Sequence, residues 1–243
     1  MEGSKSNIIA QLQKEILPLQ GYKPASDSLM YDTGLGPILH AFPNKKFPLG
    51  AVHEFICENK SGSAATSGFI TGLIGTLMGT QGVSMWISAE RNIHPPALSS
   101  FNVDARNIFF IHPQKEKDIL WATEEALHCN ALSTVVAEVP ALSFKASRRL
   151  QLAVEQSRVT AFIIRNGVRN IDVTSTLSRW RITSLPGEIP DELPGVGFPK
   201  WNVEILKIRN GQPGAWMVSW NNGRFEHKYK QSEIFVHRQQ KVG

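Results

Sequence analysis

Between residues 50 and 165 the chain alternates short apolar runs with longer stretches whose apolar residues recur every three or four positions. Residues 51–57, 83–88, 108–111, 134–139 and 160–165 have the length and continuity of strands buried on both faces. After the first of them, 66–78 carries Phe69, Ile70, Leu73, Ile74 and Leu77 at helical spacing. Residues 117–129 put Ile119, Leu120, Thr123, Ala126 and Leu127 on one side of a second helix, 145–156 predicts a third, and 96–101 a short helix or turn. Strands separated by helices predict an α/β domain: a mainly parallel sheet flanked by helices and joined by right-handed crossovers.

After Asn166 the rhythm changes. Residues 178–182, 202–209 and 215–220 read as strands, separated by a Pro/Gly-rich loop at 186–199 and by the turn signals Asn210-Gly211 and Asn221-Asn222-Gly223. They predict an antiparallel meander on the edge of the sheet. Before the regular region, Ser6-Asn7 followed by Ile8, Ile9, Leu12, Ile16 and Leu19 predicts a capped amphipathic helix ending near Pro18, and 22–44 an irregular connection. That helix needs its apolar side covered, by the body of the domain or by a neighbouring subunit or partner. The chain thus divides into an N-terminal helix and connection (1–46), a core domain (47–223) and a charged tail (224–243) that is expected to pack loosely.

Composition narrows the function classes. With 42% hydrophobic residues in 243, there is enough apolar content for one sizeable core. The most apolar stretch, 69–87, is broken by Gly72, Gly75, Gly79, Gln81 and Gly82, so no membrane span is expected. Glu2, Lys5, Lys14 and Glu15 break up any signal-peptide core near the start. Two cysteines, Cys57 and Cys129, support neither a disulfide framework nor a four-ligand zinc site, and fit a reducing cytoplasm. The net charge of +5 favours a polyanionic partner such as DNA, and Lys145, Arg148, Arg149, Arg158, Arg165, Arg169, Arg179 and Arg181 crowd into one stretch. Those cations are equally well explained as the solvated faces of a helix and a strand. His53, His94, His112 and His128 show no metal-ligand spacing. Of the tryptophans, Trp121, Trp180, Trp201, Trp216 and Trp220 outnumber what core filling needs; Trp216 and Trp220 share an alternating face and are candidates for a partner surface.

One local pattern carries chemistry. The strand at 51–57, the small-residue turn at 59–65 and the helix after it form the opening of a phosphate-binding βα unit. The run Gly50-Ala51-Val52-His53-Glu54-Phe55-Ile56-Cys57-Glu58-Asn59-Lys60-Ser61-Gly62-Ser63-Ala64-Ala65 resembles the first strand and P-loop of RecA-type recombinases. Ser84-Met85-Trp86-Ile87-Ser88-Ala89-Glu90 resembles their second strand, and Thr134-Val135-Val136-Ala137-Glu138 stands where they have the Walker B strand. Within that superfamily the likeness is to the ImuA proteins, carried by Pro48-Leu49-Gly50-Ala51-Val52-His53-Glu54-Phe55, by Asp118-Ile119-Leu120-Trp121-Ala122-Thr123-Glu124-Glu125-Ala126-Leu127 and by Ala146-Ser147-Arg148-Arg149-Leu150-Gln151-Leu152-Ala153. The resemblance implies a RecA-like P-loop NTPase core from about residue 48 to 220.

The departures decide what activity to expect. A working P-loop needs a lysine for the β and γ phosphates and a hydroxyl for magnesium. Here Cys57 stands at the first glycine position, Ser63 replaces the lysine and Ala64 the hydroxyl residue. The amides of Ser61, Gly62, Ser63 and Ala64 are left as a degenerate anion site, holding ATP or ADP with Mg weakly at best; efficient hydrolysis is not expected. Glu90 matches the residue that activates water and Glu138 the Walker B acid; as vestiges, each would cap a turn or pair with an arginine instead. The loops that bind DNA in RecA relatives are short here, at 139–144 and 167–174, leaving Arg165, Arg169 and Arg179 as candidate phosphate contacts or as exposed strand-end charges. The family resemblance implies an accessory protein of the SOS response that works in translesion synthesis and mutagenesis. Its implied partners are an ImuB-like Y-family polymerase homologue, an error-prone replicative-type DNA polymerase, and also RecA and DNA. A weak DNA-binding ATPase and a SulA-like cell-division inhibitor are the alternatives.

Overall fold

The computed structural model describes residues 34–78, 82–168, 170–187 and 197–227. Its elements run β1 (Val52–Cys57), α1 (Lys60–Met78), β2 (Ser84–Ile87), β3 (Ile108–Ile111), α2 (Glu116–Leu127), β4 (Thr134–Val139), α3 (Phe144–Ser157), β5 (Thr160–Asn166), β6 (Ser178–Leu185), β7 (Lys200–Ile208), β8 (Gly214–Asn221) and β9 (Arg224–His227). The nine strands form one sheet in the order β3-β2-β4-β5-β1-β6-β7-β8-β9. Pairing is parallel from β3 to β6 and antiparallel from β6 to β9. The α/β architecture expected from the sequence, with its antiparallel edge near the C-terminus, is the one observed. The amphipathic helix expected at 6–19 lies outside the described residues.

Burial explains the two halves of the sheet. Every residue of β1 and β4 is buried, because helices cover both faces of the parallel half. Phe55 and Cys57 join the cluster under α1, whereas Val52 joins the one under α2 and α3. In β7 only every second residue is buried, among them Trp201, Val203 and Ile205, which face the α1 side. The alternation is that of a half-solvated antiparallel sheet. Helix α1 buries Phe69, Ile70, Leu73, Ile74 and Leu77 against this core, each contributing about 1.5–3 kcal/mol. Gly75 is where the short 3-10 helix Pro95–Phe101 crosses α1; a Cβ there would sit 2.2 Å from the Phe101 carbonyl oxygen.

Three expectations need correction. The small-residue turn at 59–65 is helix, since α1 begins at Lys60. The tail is not loose at its start: β9 pairs with β8 and buries Phe225. The connection before β1 is irregular but belongs to the core, with Leu35, Ile38, Ala41, Phe42 and Phe47 buried. Phe42 lies 5.8 Å from the ring of Trp180, and Phe47 stacks on His53 at 4.5 Å. Of the tryptophans, Trp180, Trp201 and Trp220 are core; Trp220 donates to the Ser100 carbonyl at 2.8 Å. Trp220 is therefore no partner surface, and Trp216 packs half-buried against the same cluster. Trp121 is 63% exposed.

Candidate functional site

The carboxyl ends of β1, β2, β4 and β5 meet where a parallel α/β sheet places its ligands. The connection from β1 to α1 is only two residues long, Glu58 and Asn59. Asn59 caps the helix: its side-chain oxygen accepts from the Gly62 amide at 2.8 Å and its carbonyl from the Ser63 amide at 3.0 Å. Ser61, Gly62, Ser63 and Ala64 lie in the first turns of α1, so the amides that would wrap a phosphate in an open loop are drawn into helix geometry. A Cβ at Gly62 would meet nothing nearer than 3.5 Å, so close packing does not demand glycine there. Cys57 points into the core and donates to Thr66 Oγ1 at 3.3 Å; burial pushes its thiol up to about 11, aided by the nearby Glu138. A nucleoside triphosphate with magnesium is what the fold family holds here. The residues present do not fit it: position 63 is serine where the lysine is needed, position 64 is alanine where the hydroxyl is needed, and the Gly62 amide is already bonded to Asn59.

The two candidate carboxylates occupy the neighbouring strand ends. Glu138 is buried near the end of β4, accepting from Trp86 Nε1 at 3.1 Å and from Asn166 Nδ2 at 3.2 Å. Burial pushes its carboxyl above the usual carboxylate range; the two bonds oppose that shift, and the charge of Glu90 reinforces it. Glu90 is exposed and accepts from Asn92 at 3.1 Å. The fold thus brings Glu138 within electrostatic reach of both Glu90 and His112. His112 uses Nδ1 on the Ser88 carbonyl at 2.9 Å and lines an open cleft of about 420 Å³ with Ser88, Arg91, Ile93, Pro95 and Phe110. Among the described residues no group of three or more His, Cys, Asp or Glu is placed to hold a metal.

The candidate DNA contacts are not where an exposed polyanion would find them. Arg165 and Arg179 have side chains only 4% and 9% exposed, and both bond to the fully buried Glu54. Arg165 Nη1 donates to Glu54 Oε1 at 2.9 Å and Arg179 Nε to Glu54 Oε2 at 2.9 Å. Thr174 and Thr176 hydroxyls donate to Oε2 at 2.6 and 3.2 Å. These two arginines are buried partners of a carboxylate, neither free phosphate ligands nor solvated strand-end charges. Arg169 lies outside the described residues.

Comparison with known proteins fixes the family. No family model matches the chain. It is 30% identical over 190 residues to Protein ImuA of Caulobacter vibrioides, covering 73% of this chain and 78% of that protein, and the match is the same in two strains. The chain belongs to the ImuA family. In this member of the ImuA family, a residue missed from sequence is Glu54, which holds the two candidate arginines. A glutamate among Val52, Phe55 and Ile56, in a strand read as buried on both faces, demands buried cations, and that signal was available. The register supplies them: Glu54 pairs across to Arg179 on β6, and the next residue but one, Ile56, to Arg165 on β5. Lys207 adds a donor to the Thr174 carbonyl at 2.8 Å; burial and then the Arg179 charge depress its ammonium below the usual lysine range. His53, beside Glu54 but facing the other side, bonds the Pro48 carbonyl at 2.8 Å and Ser178 at 2.7 Å, and burial lowers its pKa to about 4.

Proposed function

We propose that this ImuA-family chain is an accessory protein of damage-induced translesion synthesis that acts by holding other proteins, not by turning over nucleotide. The observation that carries the reading is the two-residue β1–α1 connection, whose Gly62 amide is bonded to Asn59 and whose helix begins three residues before the position of the missing lysine. The partners assigned by family resemblance are an ImuB-like Y-family polymerase homologue and an error-prone replicative-type DNA polymerase, with RecA as a further contact, in the cytoplasm. No helix among the described residues is long and apolar enough to cross a membrane. Direct DNA contact, where it occurs, falls to exposed cations such as Lys145 and Arg148, because Arg165 and Arg179 are engaged inside.

The test is calorimetric titration with ATP and ADP in magnesium, at protein concentrations that detect millimolar affinity, about 4 kcal/mol of binding free energy. No saturable heat is expected, together with co-purification of the ImuB-like homologue. Saturable binding with phosphate release that Glu90→Ala abolishes would overturn the reading in favour of an ATPase. Absence of the homologue from the purified complex would remove the adaptor role itself.

A further inference from the structure

The two edges of the sheet are finished differently. The β9 edge carries the charges of Arg224 and Glu226, and Gly34 and Gly36 lie against its Phe225 and His227. At the other edge β3 reads Ile108-Phe109-Phe110-Ile111, paired to β2 alone, with no charge, proline or bulge to keep another strand away. Phe109 is 57% and Ile111 38% exposed. Parallel pairing also fixes where the backbone of β3 points. The Ser88 amide donates to the Ile111 carbonyl at 3.1 Å, so Phe109 and Ile111 turn their backbone groups toward β2. The alternate residues, Ile108, Phe110 and His112, turn theirs to the open side. The Ile108 amide closes the preceding turn on the Ala105 carbonyl, and among the described residues nothing bonds the Phe110 amide and carbonyl. Side chains alternate as well: Ile108 and Phe110 lie on the α1 face, which leaves Phe109 and Ile111 on the other.

We infer that β3 pairs antiparallel with β3 of a second copy of this chain, about a two-fold axis at Phe110, joining two nine-stranded sheets into one. A two-fold axis perpendicular to the sheet keeps each face on its own side, so opposed residues are both even-numbered or both odd-numbered. The outward backbone groups fall on the even ones. With Phe110 opposite Phe110, the two copies exchange a pair of N–H···O=C bonds, and the His112 amide of each meets the Ile108 carbonyl of the other. Phe109 then stands directly across from Ile111 of the second copy, and Ile111 across from Phe109. The exposed side chains cover each other twice over, as aromatic–aliphatic cross-strand pairs. A shift to the next register of the same parity sets Phe109 on Pro113 and Ile111 on itself, and loses that match. This self-complementarity selects a second copy as the occupant. The acidic side chains of α2, among them Glu116, Asp118 and Glu125, do not oppose the pairing. Helix α2 packs over β4 and β2, so its two copies lie about four strand spacings apart, roughly 19 Å and well beyond a Debye length of about 8 Å. A four-residue edge gives an interface at the low end of the size range, so the dimer is weak.

The measurement is sedimentation equilibrium of the full chain from about 1 µM to about 1 mM, the range in which a weak dimer of this size forms. The average mass should rise toward two copies and stop there. Phe109→Lys and Ile111→Lys should each raise the dissociation constant at least about tenfold, because either one sets two cations into the pairing. Both side chains are exposed, and thermal melts against wild type confirm that the variants fold. Register is read separately by cysteine pairing in a Cys129→Ser background, Cys57 being buried. Phe109→Cys and Ile111→Cys chains mixed under diamide should form a mixed disulfide, since opposed non-hydrogen-bonded residues have Cα atoms about 4.5 Å apart, within disulfide reach. Either variant alone should link far more slowly, its two copies being diagonal neighbours about 7–8 Å apart. A chain that stays single to about 1 mM, lysine variants that dimerise as wild type does, or disulfides that form equally without mixing overturn the inference. So does a mass that grows beyond two copies, which marks a different segment on this edge in an open-ended assembly. The adaptor reading does not depend on the result.

Discussion

Glu54→Gln tests the internal logic of the fold most directly. Glu54 has no solvent exposure and accepts from Arg165, Arg179, Thr174 and Thr176, while Asp172 gives Arg165 only a partial second partner at 3.3 Å. Removing the carboxylate charge leaves two guanidinium groups facing each other where water cannot reach. Breaking a buried pair from one side costs about 3–5 kcal/mol, against a total stability of about 5–15 kcal/mol for a domain. Arg165→Gln should cost less, about 1.5–3 kcal/mol, because Glu54 keeps Arg179 and both threonines. The assay is urea unfolding followed by far-UV circular dichroism, with the double variant completing a cycle. The expected order is Glu54→Gln worse than Arg165→Gln, with the double variant less destabilised than the sum. Because the pair is buried, added salt should change these differences little. A Glu54→Gln protein within about 1 kcal/mol of wild type, or an Arg165→Gln protein of full stability but weakened DNA affinity, would refute the assignment and return Arg165 to the surface role first expected of it.

Three further outcomes follow from single sites. His53 is held neutral in the fold, with a pKa of about 4 against 6.5 free, so unfolding takes up a proton between those values and stability falls as pH drops through that window, by about 3 kcal/mol in all; His53→Gln should remove this part of the pH slope, as read from unfolding midpoints. Glu138 works in the opposite sense, its raised carboxyl costing stability as pH rises, so the comparison must be variant against wild type. Native protein should react with a thiol reagent at Cys129 alone, which is exposed, and at Cys57 only after denaturation. Asn59→Ala should cost about 1 kcal/mol through loss of the helix cap and leave nucleotide titrations unchanged; a gain of nucleotide binding would mean that the cap, not the missing lysine, keeps phosphate out.

The parallel half of the sheet was legible because its strands are continuous apolar runs and its helices repeat at 3.6 residues: 108–111 and 134–139 fall on β3 and β4 to the residue. What could not be read was decided by long-range contact. Residues 34–47 carry too few periodic positions to announce themselves as core, yet Phe42 and Phe47 fill the space beside Trp180 and His53. Residues 59–65 look like a loop because Ser and Gly are weak helix formers, and a single cap from Asn59 plus packing of the following turns suffices to pull them into α1. At the site, residue types gave the likeness of Glu90 and Glu138 to family positions, and in the structure the charge of Glu90 reaches Glu138. The arginines were misjudged because sequence order hides which strands are neighbours: only the placement of β1 between β5 and β6 brings Arg165 and Arg179 onto Glu54.

His227 Nε2 lies 2.9 Å from the Gly34 carbonyl oxygen, which ties the first described residue to the last strand. The two ends of the described body therefore leave from one rim of the molecule, and β3 forms the opposite rim, eight strand spacings of about 4.8 Å away, roughly 38 Å. Whatever precedes residue 34 and follows residue 227 shares a single point of departure, like two leads from one terminal block. A fluorophore or affinity handle joined at either end reports from that rim, a distance ruler anchored there reads the approach of a molecule to β3, and a short peptide bridging residues 34 and 227 would close the body into a ring that could be reopened elsewhere.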